Sequence, residues 1–146
     1  MTTLFSIIVI ALGLIAWAGQ ILSFFTPQLA IRIGVLEPKE EVDETLYVIE
    51  SKAMGLVDVF TAWVFPTSGL LLLLDNSLWP IFGLIGAGIY LYFSGVIVLS
   101  RIYLKRIGKK VGSANSEKLA YIYSFVCIFL SLIMIIVSVS NLVVQH

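Results

Sequence analysis

Four long apolar stretches, separated by shorter polar ones, set the plan of the chain. Residues 4–25 carry no formal charge. A helix rises about 1.5 Å per residue and a bilayer core is about 30 Å thick, so this run predicts a first membrane span. The triplet Ala16-Trp17-Ala18 imitates a signal-peptide cleavage site, but no Lys or Arg precedes the run and it continues past Ala18, which favours a span. Residues 53–74 predict a second span, with Asp58 as its one charge. Residues 79–104 predict a third, with Arg101 near its end, and residues 119–144 a fourth.

The polar stretches have their own signals. Thr26 reads as a helix N-cap with Pro27 at the first helical position, and Gly34 as a stop. The short helix between them is expected to lie at the membrane interface. Glu37-Pro38 is expected to open another helix, with Glu40, Glu41, Asp43 and Glu44 in its first turns, where the helix dipole favours negative charge. Nothing from Glu44 to Ala53 breaks a helix, so it is expected to run straight into the second span. Pro66 removes a backbone donor inside that span. A kink is expected there, with the Thr67 and Ser68 hydroxyls available to the freed carbonyl. Asp75-Asn76-Ser77 reads as a tight turn, Trp79 as an interfacial anchor and Ser116 as the start of the last helix.

These elements predict an all-α integral membrane protein. Its fold is an antiparallel bundle of four transmembrane helices in a single membrane domain, 1–146, with a cytoplasmic amphipathic segment between the first two spans. Composition agrees. The chain is 60% hydrophobic and 12% charged, with a mean hydropathy of +1.05. Soluble domains are nearer half apolar and a quarter charged, so the surface demands a lipid bilayer as partner. Net charge is zero and no extended basic patch exists, which argues against nucleic acid. The lone Cys127 precludes an intrachain disulfide.

Charge placement predicts orientation. All nine basic residues lie in or beside two connections: Arg32, Lys39 and Lys52 with the first, Arg101, Lys105, Arg106, Lys109, Lys110 and Lys118 with the third. The positive-inside rule then puts loops 26–52 and 105–118 in the cytoplasm and both termini on the opposite side.

Helical phase adds a face to each span. Ser6, Gly13, Gln20 and Phe24 align on the first. Ser51, Gly55, Asp58, Ala62 and Gly69 align on the second. Gly83, Tyr90, Ser94 and Arg101 align on the third, and Glu117, Ser124, Ser131 and Ser138 on the fourth. Small residues let helices approach closely in lipid, so these stripes are expected to be contact faces. Gly83, Gly86 and Gly88 have neither the spacing nor the preceding strand of a phosphate loop and are assigned to packing. The serine hydroxyls are expected to bond their own helix backbone. Tyr90, Tyr92, Tyr121 and Tyr123 are assigned first to packing or interfacial anchoring. Neither Cys127 nor the terminal His146 has companions for a metal or nucleophilic site, and no cofactor motif is present.

Depth and phase together bring five residues to the cytoplasmic side of the bundle: Gln20, Asp58, Arg101, Glu117 and, at the margin, Tyr121. They form a candidate ligand-binding pocket. An intramembrane charge is expensive and needs a partner or a use. The bland alternative is that Asp58 and Arg101 pair and fix helix register. In another, Arg101 snorkels to lipid headgroups and leaves Asp58 to Gln20 or water.

Three functions fit the pattern. One is binding of a small molecule or ion in that pocket, with a homo-oligomer needed for any transport path. Another is an accessory subunit of a larger membrane complex. The third is an enzyme acting on lipophilic substrates. The chain is similar in length and span count to small four-helix enzymes of eicosanoid and glutathione metabolism. It lacks their Arg-rich pattern, with Asn and Glu, on the second helix, and without a nucleophile–base pair the enzyme reading ranks last.

Overall fold

The computed structural model describes residues Thr2–Val144; Met1, Gln145 and His146 lie outside the described residues. Secondary structure there is helical, without a strand element: α1 (Thr2–Phe25), α2 (Pro27–Arg32), α3 (Glu44–Val48), a π-helical turn (Ile49–Met54), α4 (Gly55–Thr61), α5 (Val64–Leu73), α6 (Trp79–Arg106) and α7 (Ala114–Val144). Four continuous stretches are long and apolar enough to cross a membrane: Thr2–Phe25, Glu44–Leu73, Trp79–Arg106 and Ala114–Val144.

Two boundaries differ from the sequence expectation. No helix starts at Glu37-Pro38. Residues 37–43 form turns and an antiparallel bridge between Val42 and Val111. Asp43 N–H donates to the Lys110 carbonyl at 2.8 Å and Gly112 N–H to the Glu41 carbonyl at 3.1 Å. The two long connections thus clasp one another, over a small core of Ala30, Leu36, Val42, Leu46, Tyr47 and Val111. Asp43 is the N-cap of α3 and accepts from Thr45 N–H at 3.0 Å. At the other boundary, α7 begins before Ser116: the Ser113 hydroxyl accepts from Ser116 N–H at 3.3 Å, so the earlier serine caps the helix.

The expected continuation of this segment into the second long apolar helix is found, but by way of a π turn. Gly55 N–H reaches back five residues to the Glu50 carbonyl. Further on the helix breaks at Ala62 and Trp63, one turn before Pro66, where the missing proline donor predicts a break. Thr67 and Ser68 do not take the carbonyl freed by Pro66. Their hydroxyls donate to Trp63 and Phe65 at 2.8 and 2.6 Å. The Trp17 indole instead donates to the Val59 carbonyl at 2.9 Å, tying α1 to the broken segment.

The small-residue stripes are contact faces, as expected. A Cβ at Gly13 would meet Pro66, one at Gly69 would meet Val9 and Ile10, and one at Gly86 would lie 2.7 Å from the Phe65 Cα. Gly88, assigned to packing with Gly83 and Gly86, instead faces open space. The main core holds Phe65, Tyr90, Cys127 and Met134. Tyr90 and Phe65 rings lie 4.5 Å apart, and the Tyr90 hydroxyl donates to the Gly13 carbonyl at 2.9 Å. Trp79 is buried in this core rather than standing out as an anchor. Ser124, Ser131 and Ser138 are buried, yet their hydroxyls find no partner among the described residues, in place of the expected bonds to their own helix.

Helix α6 packs along α7 and α5, and α1 packs along α4 and α5. Helices α1 and α7 make no comparably extended contact. The gap between them holds the candidate site.

Candidate functional site

A cavity of about 320 Å³ opens between α1, α6, α7 and the 34–37 loop. Helical periodicity builds its walls. Ile15, Gly19 and Ser23, with Ala16 and Gln20, form one stripe of α1; Phe93, Ile97 and Arg101, four apart, form a stripe of α6. Ser116, Leu119, Ala120, Tyr123 and Ser124 follow the three-and-four spacing of a single α7 face. The π turn supplies Glu50 and Met54, and the loop supplies Glu37. At its inner end the Tyr123 hydroxyl donates to the Leu12 carbonyl at 3.4 Å, bridging α7 to α1.

The polar end is organised by Arg101, whose side chain is 5% exposed. Its two terminal nitrogens donate to the two carboxylate oxygens of Glu50, the second at 3.1 Å. A longer ion pair joins it to Glu37 at 3.5 Å. Two buried atoms of this cluster keep free hydrogen-bonding capacity among the described residues: the Arg101 Nε donor and the Glu37 Oε2 acceptor. Such groups are costly to bury unmatched. Helix α6 fixes Arg101 through the stripe that also carries Phe93 and Ile97. The clasp between connections fixes Glu37, because a Cβ at Gly112 would come within 2.6 Å of its carboxylate.

The sequence-predicted residues divide. Gln20 and Arg101 line the cavity together. Asp58 does not join them and does not pair with Arg101, whose carboxylate partners are Glu50 and Glu37. Asp58 is buried, and its Oδ2 has no partner among the described residues. It borders a much smaller void with Ala62, Ile89 and Tyr90, separated from the cavity by Ala16, Gln20 and Phe93, which line both. Glu117 is engaged by the Lys105 ammonium at 2.7 Å, and neither Glu117 nor Tyr121 lines the cavity. Arg101 does not snorkel: it is buried and paired.

Sequence reasoning missed Glu37 and Glu50. Both lie in the acidic 37–50 segment, which the Glu37-Pro38 signal assigns to a helix preceding the second apolar run. The usable signal was Glu50 itself, placed just before the second span as Arg101 is placed near the end of the third. Glu37 gave none, because a loop residue has no phase.

Outside the helices, Asp43 receives the Lys109 ammonium at 3.0 Å. That contact, with the Thr45 bond, holds its carboxyl below the ordinary aspartate value. No cluster of three or more His, Cys, Asp or Glu suited to a metal ion occurs among the described residues. Comparison of the chain with protein-family models, with curated proteins and with solved structures finds no match.

Proposed function

We propose that the chain is a membrane protein whose four long helices cross the bilayer as an antiparallel bundle, with the clasped connections on the cytoplasmic side. Its function is to bind a small molecule in the cavity between α1 and α7. Large apolar side chains such as Phe60, Ile85, Phe129 and Ile136 stand exposed along the long helices, which suits lipid and not water. The basic residues gathered at the two connections support the orientation.

One observation carries the binding reading: an apolar cavity converges on a buried, paired arginine with an unused donor. Ligand sites are mostly apolar concavities with a few convergent polar groups, of about 300–1,000 Å³. This cavity, at about 320 Å³, is at the lower end of that range. An accessory-subunit role would use the same exposed outer faces, but it gives no use to the cavity.

Titration with the neutral solvatochromic dye Nile red, on protein in lipid nanodiscs, tests the reading. Saturable one-site binding is expected for the unaltered chain and for Val139→Trp, an exposed position on α7. Ala120→Trp and Ile97→Trp, which fill the cavity from α7 and α6, should each abolish it. Equal binding by all four chains would overturn the reading.

A further inference from the structure

We propose that the cavity takes a single-chain amphiphile with a cationic amine head; this rests on the binding reading above and names the ligand class. Charge comes first. Arg101 faces two carboxylates, Glu37 and Glu50, so with both ionised the cluster carries one negative charge beyond the arginine's positive one. Lys105 and Lys109 do not cancel it, because they are matched to Glu117 and Asp43, and Lys39 and Lys52 lie over the Tyr47 and Phe24 rings. An unmatched charge in a largely buried cluster is costly, and a ligand bringing one positive charge removes that cost.

Hydrogen-bond geometry points the same way. Glu50 is occupied at both oxygens by Arg101, whereas the Glu37 Oε2 is buried and unpartnered. A primary ammonium brings three donors and no acceptor, which suits that oxygen. The clasp presses Gly112 against the Glu37 carboxylate, so the acceptor is held in place rather than free to swing into solvent. The buried Arg101 Nε–H is a second unmatched group of the same cluster, so an oxygen next to the amine, as in an amino alcohol, has a donor to meet.

The body of the ligand follows from the remaining walls, which are mostly apolar. Ile15, Phe93, Ile97 and Leu119 offer no polar group beyond the backbone, and the polar side chains among them, such as Gln20, Ser116 and Tyr123, carry no formal charge. The volume admits one chain and is small for a two-chain lipid. The gap between α1 and α7 gives it a side entrance from the region of the exposed apolar faces, so the head can reach the buried cluster without the chain crossing water.

The test compares dodecylamine, dodecanol and dodecanoic acid on protein in phosphatidylcholine nanodiscs, read by native mass spectrometry. One equivalent of dodecylamine is expected to bind saturably and more tightly than the other two. Ala120→Trp should abolish this binding. Glu37→Gln keeps the shape but removes the excess charge, and should weaken the amine about tenfold or more while leaving dodecanol unchanged. Dodecanoic acid or dodecanol binding as tightly as the amine would overturn the proposed head group while leaving the cavity reading standing, as would an unchanged amine affinity in Glu37→Gln. Absence of any saturable binding sensitive to Ala120→Trp would overturn both. The head-group series on the unaltered chain decides the question however the variants fold.

Discussion

Glu50 accepts both terminal nitrogens of Arg101, joining the π turn that enters the second long helix to the last turns of the third. Bidentate guanidinium–carboxylate pairs fix geometry as well as charge. Asp58, the nearer match by helical phase, stands apart with no basic partner among the described residues.

A double-mutant cycle separates the two arrangements. Arg101→Leu strands two largely buried carboxylates and is expected to cost about 3 kcal/mol. Combined with Glu50→Gln, the loss should be smaller than the sum of the single effects by at least about 1 kcal/mol, since the two residues share one interaction. Combined with Asp58→Asn, the effects should add within about 0.5 kcal/mol. Equilibrium unfolding in mixed micelles gives all three values. Strong coupling between Asp58 and Arg101 would restore the pairing that helical phase suggests.

Much of this was legible in the sequence, and the failure is local. The four long apolar helices follow from run length and charge, and the contact faces follow from small residues at Gly13, Gly69 and Gly83. Those inferences need only a regular helix. The partner of Arg101 needs an irregular one. The π turn at Ile49–Met54 widens the helix where Glu50 sits, and a regular 3.6-residue repeat puts Ser51 and Asp58, not Glu50, on the contact stripe. Glu37 reaches the cluster from a loop held by hydrogen bonds between two connections far apart in the chain. Periodicity carries no information about such a clasp.

Two glycines on α6 make opposite predictions. A Cβ at Gly86 would lie 2.7 and 2.8 Å from the Cα and N of Phe65, backbone atoms that move only with α5. Gly86→Ala is therefore expected to destabilise by about 1–3 kcal/mol through overpacking. Gly88 faces open space, so Gly88→Ala should be neutral or stabilise by up to about 1 kcal/mol through helix propensity. Thermal unfolding of the two variants side by side reads the difference, and equal behaviour would contradict the close approach of α5 and α6.

Orientation in the membrane is testable at the short turn. Ser77 is exposed between α5 and α6, and Ile107 is exposed at the opposite end of α6. The native Cys127 is buried and serves as a quiet background. A membrane-impermeant maleimide is expected to label Ser77→Cys in intact cells and Ile107→Cys only after lysis. The reverse pattern would invert the bundle.

The clasp between the connections should loosen in acid through Asp43. Its carboxyl titrates below the ordinary aspartate value because the folded state supplies the Lys109 ammonium and the Thr45 amide. The unfolded connection therefore binds a proton more readily than the folded one. The contribution of the charged carboxylate is complete above about pH 4, the ordinary aspartate range, and is lost as pH falls through the lower folded value. Hydrogen exchange at the Asp43 and Gly112 amides, which donate across the clasp to Lys110 and Glu41, reports it. Protection should fall with acid below about pH 4 in the unaltered chain. Asp43→Asn retains a good capping oxygen but nothing to titrate, so its exchange, corrected for intrinsic rates, should depend less on pH. The difference between the two profiles isolates Asp43. Identical profiles would mean that the Lys109 contact does not hold the connections together.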